Sequence, residues 1–122
     1  DYYTYDPDKA RSLLLEVGTH GLDVGSIIIY ENQISKICAE MLQGNLKDVG
    51  MKASVEVLDD ANYFERLVSG NYTLAIMGVK LGFDGTAWHA LFDDQLNFSG
   101  YTNPALDELF LLTAVELEMS KR

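Results

Sequence analysis

The sequence predicts an α/β fold in which helices flank a mostly parallel sheet. Three short apolar segments have the composition of strands, and two helical segments with apolar stripes separate them. Strands that alternate with helices favour right-handed crossovers, which leave neighbouring strands parallel. Because 122 residues suit one hydrophobic core and are too few for two ordinary ones, we expect a single α/β domain over residues 1–122.

The first two elements are a helix and a strand. In YDPDKARSLLLEVG, Asp6 suits a helix N-cap, Pro7 suits the first helical position, and Gly18 ends the pattern. The apolar residues in between have the spacing of one helix face: Ala10, Leu13, Leu14 and Val17. After a turn-rich stretch, SIIIY over residues 26–30 is short, β-branched and apolar, as is typical of a buried strand.

The second helix has the clearest pattern in the chain. Asn32 precedes it as an N-cap, and Gly50 follows its last apolar residue. Its apolar stripe contains Ile34, Ile37, Cys38, Met41, Leu42, Leu46 and Val49. We expect this stripe to face the core, and we expect Cys38 to be a buried small hydrophobe rather than a reactive thiol.

The alternation of strand and helix then continues. Residues 51–58 alternate apolar and polar side chains, which predicts a strand with one covered face. Asp59 or Asp60 can cap a short helix that ends at Gly70 and whose apolar stripe contains Tyr63, Phe64, Leu67 and Val68. Residues 72–79 are expected to form a third, apolar strand.

The last third of the chain is less regular. Residues 80–94 contain glycines and then a short helix around Trp88. A final helix begins at Asn103 or Pro104, which suit the N-cap and the first helical position. It presents Leu106, Leu109, Phe110, Thr113 and Leu117.

Composition excludes several partners. Nineteen acidic and nine basic residues give a formal charge of −10, which repels nucleic acids and anionic membrane surfaces. Cys38 is the only cysteine, so the chain has no internal disulfide. No segment has the roughly 18 apolar residues of a membrane span, and no signal segment opens the chain. If the protein is exported, its signal has been removed.

Motifs for catalysis and cofactor binding are missing from the sequence. There is no GxGxxG or GxxxxGK[ST] loop, no GxSxG nucleophile, and no metal-ligand spacing around His20 or His89. Paired carboxylates occur only where helix ends are expected, where capping explains them. We therefore expect no metal and no cofactor.

Residues 78–92, GVKLGFDGTAWHALF, are the one stretch with the character of a binding site. They follow the third strand, and ligands of open α/β sheets collect at the carboxyl ends of the strands. Phe83 and Trp88 offer apolar walls, and Asp84 offers an anchor for a cationic group. Two alternatives stay open: a glycine-rich turn whose aromatic residues complete the core, and a small enzyme in which Asp84 and His89 form an acid–base pair.

Four segments together resemble the family 5 extracellular solute-binding proteins, the receptors of ABC importers for peptides, nickel chelates and related solutes. They are YDPDKARSLLLEVG, LQGNLKDVGMKASVEVLD, YFERLVSGNYTLAIMG and NFSGYTNPALDELF, with a strand and a helix between the first two. The resemblance covers nearly the whole chain but only part of a family member. It implies a segment of the second, C-terminal lobe of a periplasmic-binding-protein type II-like fold.

The resemblance also implies partners and a location. The chain would contribute one cleft wall for a peptide or similar small solute, opposite an N-terminal lobe of the same protein, and a membrane permease would recognise the closed form. The location would be extracytoplasmic, in the periplasm or on the outer face of the cell membrane, where a lipid anchor can hold the full-length protein. A further alternative is a stand-alone partner-recognition domain, which an apolar face left by the missing lobe could imitate.

By resemblance, the cleft-facing loop lies within residues 79–92. The family loop has Gly-Trp, an Asp three residues after the Trp that pairs with the peptide ammonium group, and an acid followed by Pro. Gly78 matches, but Val79, Gly82 and Gly85 replace the Trp, the Asp and the Pro, so the ammonium clamp is not conserved in this sequence. Asp84 is the candidate for its charge role. The predicted ligand-binding residues are Val79, Lys80, Gly82, Phe83, Asp84 and Trp88.

Overall fold

The structure is a computed structural model that describes residues 3–78, 91 and 97–115. The chain divides into two compact units, Asp1–Gly78 and Val79–Arg122. The first unit has the predicted α/β architecture, a parallel sheet with helices packed on it. The prediction of a single domain over 1–122 stays a prediction.

The first unit alternates helices and strands as expected. Its elements are α1 (Pro7–Glu16), β1 (Asp23–Tyr30), α2 (Gln33–Asp48), β2 (Lys52–Leu58), α3 (Asp60–Ser69) and β3 (Leu74–Ala75). The three strands lie in the order β2-β1-β3, and both pairs are parallel. The first strand along the chain is therefore the central one.

The core lies where β1 is covered on both faces. Ile27, Ile28 and Ile29 are completely buried, which is why this strand is a continuous apolar run rather than an alternating one. Ile27 and Ile29 pack with Ala39 of α2, and around them lie the partly buried Leu42, Leu46, Ala53, Val55, Leu74 and Ile76. On α3, Tyr63 and Leu67 are buried.

The predicted helix starts of this unit are confirmed by their N-caps. The Asp6 side chain accepts a hydrogen bond from the Lys9 amide, Asn32 accepts from the amides of Ile34 and Ser35, and Asp59 accepts from that of Asn62. Gly70 ends α3 in the left-handed conformation, with φ of 68°.

The third strand is shorter than predicted. Residues 72–79 were expected to form it, but only Leu74 and Ala75 pair with β1, opposite Ile27 and Ile28. The Ile76 amide adds one more bond, to the Ile28 carbonyl at 3.1 Å. Apolar composition predicted a strand here, but residues 72–78 are only partly buried or exposed. How many residues pair depends on the register with a distant strand, which is not encoded locally.

The prediction that the whole α2 stripe faces the core is wrong for its outer half. Ser35, Ala39, Leu42 and Leu46 face the sheet, whereas Ile34, Ile37, Cys38 and Met41 are exposed. Cys38 is consequently an exposed free thiol and not a buried hydrophobe. The apolar stripe extends over two faces of the helix. The face with the small side chain of Ala39 is the one that packs on β1.

The second unit contains α4 (Pro104–Val115). The Asn103 side chain accepts a hydrogen bond from the Ala105 amide at 3.2 Å, as the predicted start requires. Leu91 is helical, and the rest of the short helix expected around Trp88 lies outside the described residues, as does Leu117. None of the described helices is long and apolar enough to cross a membrane.

Candidate functional site

The carboxyl ends of the three strands lie at one edge of the sheet. Because the strands are parallel, Tyr30, Leu58 and Ala75 end at the same edge. The N-cap Asn32 lies two residues after Tyr30, and the N-cap Asp59 directly follows Leu58, so α2 and α3 both begin there. This is the edge at which ligands bind in open α/β sheets.

Two tyrosines form the centre of this edge. The rings of Tyr30 and Tyr63 have centroids 5.5 Å apart and planes inclined by 59°, a tilted aromatic pair. Tyr63 is 6% exposed, and its hydroxyl donates a hydrogen bond to the Ile76 carbonyl at 2.8 Å. A Cβ atom added to Gly78 would lie 3.5 Å from the Tyr30 hydroxyl. The pair therefore lies directly beside the last residues of the first unit.

The surroundings of Tyr63 and Asp59 favour a protonated hydroxyl and a charged carboxylate, respectively. Burial, followed by the neighbouring phenols of Tyr30 and Tyr72, raises the pKa of Tyr63, so its hydroxyl stays protonated and remains a donor. Hydrogen bonds from the Asn62 amide and side chain lower the pKa of Asp59, so the carboxylate stays charged as a cap.

A second concave region lies at the opposite, amino edge. It is a groove of about 710 Å³ lined by His20, Gly21, Glu40, Gln43, Gly44, Lys47, Gly50, Met51, Lys52 and Ala53. His20 closes tightly on Gly50: a Cβ atom there would lie 2.7 Å from His20 Nε2, and Gly50 has φ of +91°. His20 is exposed and lies against the backbone of Gly50, as a loop histidine can.

The predicted ligand-binding residues Val79, Lys80, Gly82, Phe83, Asp84 and Trp88 lie outside the described residues, as does His89 of the alternative acid–base pair. Gly78, which precedes them in the chain, is described and exposed. Among the described residues, no three His, Cys, Asp or Glu side chains are grouped to hold a metal ion.

Sequence reasoning missed Tyr30 and Tyr63 as residues of this edge. Tyr63 was grouped with the apolar stripe of its helix, and Tyr30 was taken only as the end of a strand. The available signal was the position of Tyr30, since a polar tip on the last residue of a buried strand lies at the edge where ligands bind.

A family model and two curated proteins match this chain in sequence. The family model for bacterial extracellular solute-binding proteins, family 5 Middle, matches residues 1–93. A probable di/tripeptide-binding protein of Pseudomonas aeruginosa is 29% identical over 120 residues, which cover 88% of this chain and 22% of that protein. The dipeptide-binding protein of Escherichia coli is 31% identical over 81 residues, 62% of this chain and 15% of that protein.

Solved structures show the same fold. The substrate-binding protein CtaP of an ABC transporter from Listeria monocytogenes superposes with a TM-score of 0.81 at 24% identity. The match covers 100% of this chain and 26% of the Listeria protein. The chain thus spans about a quarter of the length of this structure and a smaller share of both curated relatives.

Proposed function

Since the chain belongs to the family 5 bacterial extracellular solute-binding proteins, we propose that it forms one wall of the ligand cleft in a two-lobed receptor of an ABC importer. The family match over residues 1–93 carries this proposal. The family consists of solute receptors and not of enzymes, so we propose binding without catalysis.

A peptide or a related small solute is the proposed ligand. The two curated relatives described above are named for peptides, one for di- and tripeptides and one for dipeptides. Binding would proceed by hinge closure, in which contacts from both lobes stabilise the closed form. A membrane permease would then recognise that form on the extracytoplasmic side, and the N-terminal lobe of the same protein would supply the opposite wall.

The proposed contact residues are Val79, Lys80, Gly82, Phe83, Asp84 and Trp88. They follow β3 in the chain, and the carboxyl edge of a parallel sheet is where such ligands are held. The sequence has Gly82 where the family loop has its ammonium-binding Asp, so we propose that Asp84 carries the charge role.

Calorimetric titration with a library of di- to tetrapeptides tests the proposal. This chain alone supplies half a cleft and leaves a ligand largely solvated, so we expect weak or unmeasurable binding to it. The two-lobed polypeptide that contains it should bind at least one peptide with micromolar or tighter affinity. Micromolar binding to the chain alone, or none to the two-lobed protein, would contradict the proposal.

A pair of matched variants tests the contact residue. Asp84→Asn in the two-lobed protein should weaken peptide binding about tenfold, because it removes the proposed partner of a cationic ligand group. Asp48→Asn makes the same chemical change at an exposed position at the end of α2 and should leave the affinity unchanged. Equal affinities of the two variants would remove Asp84 from the site.

A further inference from the structure

The groove at the amino edge of the sheet has an acidic end and a basic end. Glu40, Gly44 and Lys47 line it from α2 and, at spacings of four and three residues, lie on one face of that helix. Lys52, at the start of β2, lines the same groove. Two helical turns separate Glu40 from Lys47, which places their Cα atoms roughly 10 Å apart along the helix axis.

The charged side chains of this groove are not used by the fold. Within the described part of the chain, Glu40, Lys47 and Lys52 make no ion pair. Lys36 precedes Glu40 by four residues, the spacing at which helical side chains can pair, and it does not pair with it. The acidic and basic ends are therefore available to a molecule that enters the groove.

Gly44 is a glycine that the packing of α2 does not require. A glycine in a helix interior is less favourable than alanine, because it loses more conformational freedom on folding. Apart from the backbone of its own helix, no described atom lies within 4 Å of the place where a Cβ atom of Gly44 would be. Its missing side chain leaves the groove open between the two charged ends, where a bound molecule can approach the helix backbone.

We propose that this groove binds a linear zwitterion, with the ammonium group beside Glu40 and the carboxylate beside Lys47 and Lys52. An extended tripeptide, roughly 10 Å long, has its terminal charges at this separation. The volume of about 710 Å³ lies in the range of small-molecule sites. The proposal does not depend on the proposed function, because it uses only residues at the amino edge of the sheet.

The surroundings of the basic end suit a carboxylate. The carbonyl end of a helix carries a partial negative charge, and the two ammonium groups of Lys47 and Lys52 offset it. The Gln43 side chain donates a hydrogen bond to the Ala53 carbonyl at 2.7 Å, which joins α2 to the start of β2. The partly buried Met51 and Ala53 add apolar surface for the body of the ligand.

An NMR titration of this chain with triglycine provides the first test. We expect a dissociation constant on the order of 1 mM, since the ion pairs are exposed, with shifts at the amides of Gly44, Lys47 and Lys52. The amides of Tyr30 and Leu58 at the carboxyl edge should not shift.

Two further ligands test the charges and their separation. Triglycine that is acetylated and amidated has no terminal charges and should bind at least about tenfold more weakly, and diglycine, which is shorter, should also bind more weakly. The absence of shifts along the groove, or equal binding of the uncharged triglycine, would overturn the proposal.

Filling the groove at Gly44 provides the second test. Gly44→Gln places a better helix former in α2 and should raise the urea midpoint, while its side chain should weaken triglycine binding at least about tenfold. Asn45→Gln introduces the same side chain at an exposed neighbour outside the groove and should bind triglycine like the wild type. Wild-type affinity in Gly44→Gln would show that nothing binds there.

A third test removes one charge from the basic end. Lys47→Gln should weaken triglycine binding about threefold, as expected for one exposed ion pair. Lys36→Gln removes the same charge from an exposed position of the same helix outside the groove and should leave the affinity unchanged. Equal losses in both variants would mean that only the overall charge of the chain matters, and the assigned site would be wrong.

Discussion

Helix α2 has two apolar faces with opposite environments. The inner face packs Ala39, Leu42 and Leu46 against the isoleucines of β1, two of which contact Ala39 in the core. The outer face exposes Ile34, Ile37 and Met41 by 72%, 50% and 65%, together with the Cys38 thiol. A helix that faces water on its outer side normally carries polar residues there. The contrast shows that α2 carries more apolar side chains than its packing on the sheet buries.

The exposed outer face of α2 is consistent with a chain that matches only part of each related protein. The chain corresponds to about a quarter or less of the length of its relatives. An exposed apolar stripe on a helix is typical of an interface. It also explains why a stand-alone recognition domain was a reasonable alternative from the sequence.

The largest expected difference in the free energy of unfolding is between truncating an isoleucine in the core and truncating one on the outer face of α2. Ile29→Ala removes a completely buried side chain and should lower the free energy of unfolding by about 2–5 kcal/mol. Ile37→Ala removes a half-exposed one and should cost less than about 1 kcal/mol. Urea unfolding followed by circular dichroism measures both, and equal losses would mean that the two faces are not different.

A smaller effect is expected when the outer face is made polar. Ile34→Glu combined with Met41→Lys should change the free energy of unfolding by no more than about 1 kcal/mol, because both side chains are largely exposed. We also expect the exposed outer face to make the chain self-associate, and the same double variant should weaken this association about tenfold or more, as measured by analytical ultracentrifugation.

The control adds the same charges at polar positions of the same helix. Gln33→Glu with Asn45→Lys changes two exposed residues and should leave self-association at the wild-type level. If both double variants dissociate equally, charge rather than the apolar stripe governs association, and the outer face has no special role.

The smallest perturbation is chemical labelling of Cys38. Its exposed thiol should react with a disulfide reagent in the native chain within about tenfold of its rate in denaturant, because no other cysteine competes and no packing shields it. The same thiol should react more slowly in the two-lobed protein if that protein covers the outer face. Strong protection of the thiol in the isolated chain would mean that Cys38 is buried, as the sequence analysis expected.

Local signals in the sequence predicted the elements of the first unit well. Asp6, Asn32 and Asp59 cap helices because the chemistry of a cap involves residues only two or three positions apart. The run Ile27–Ile29 predicted a strand buried on both sides for a similar reason, since composition alone distinguishes it from an alternating strand.

Features that depend on distant residues could not be predicted in this way. A 3.6-residue stripe does not tell which of its apolar residues face the sheet, so Cys38 was misplaced. The end of β3 depends on its register with β1, and the bond from Tyr63 to Ile76 depends on how α3 lies over the sheet. The predicted contact residues within 79–88 came from their position after the third strand and from the family resemblance, and they remain a prediction.

The strand order β2-β1-β3 also constrains how the protein is made. A ribosome releases the central strand first, and both of its neighbours emerge later. Until then the three consecutive isoleucines lack both of these partner strands, and unpaired apolar segments of this kind are prone to aggregate. A pause in synthesis between β1 and β2 would therefore prolong the time that this segment spends without β2 and β3.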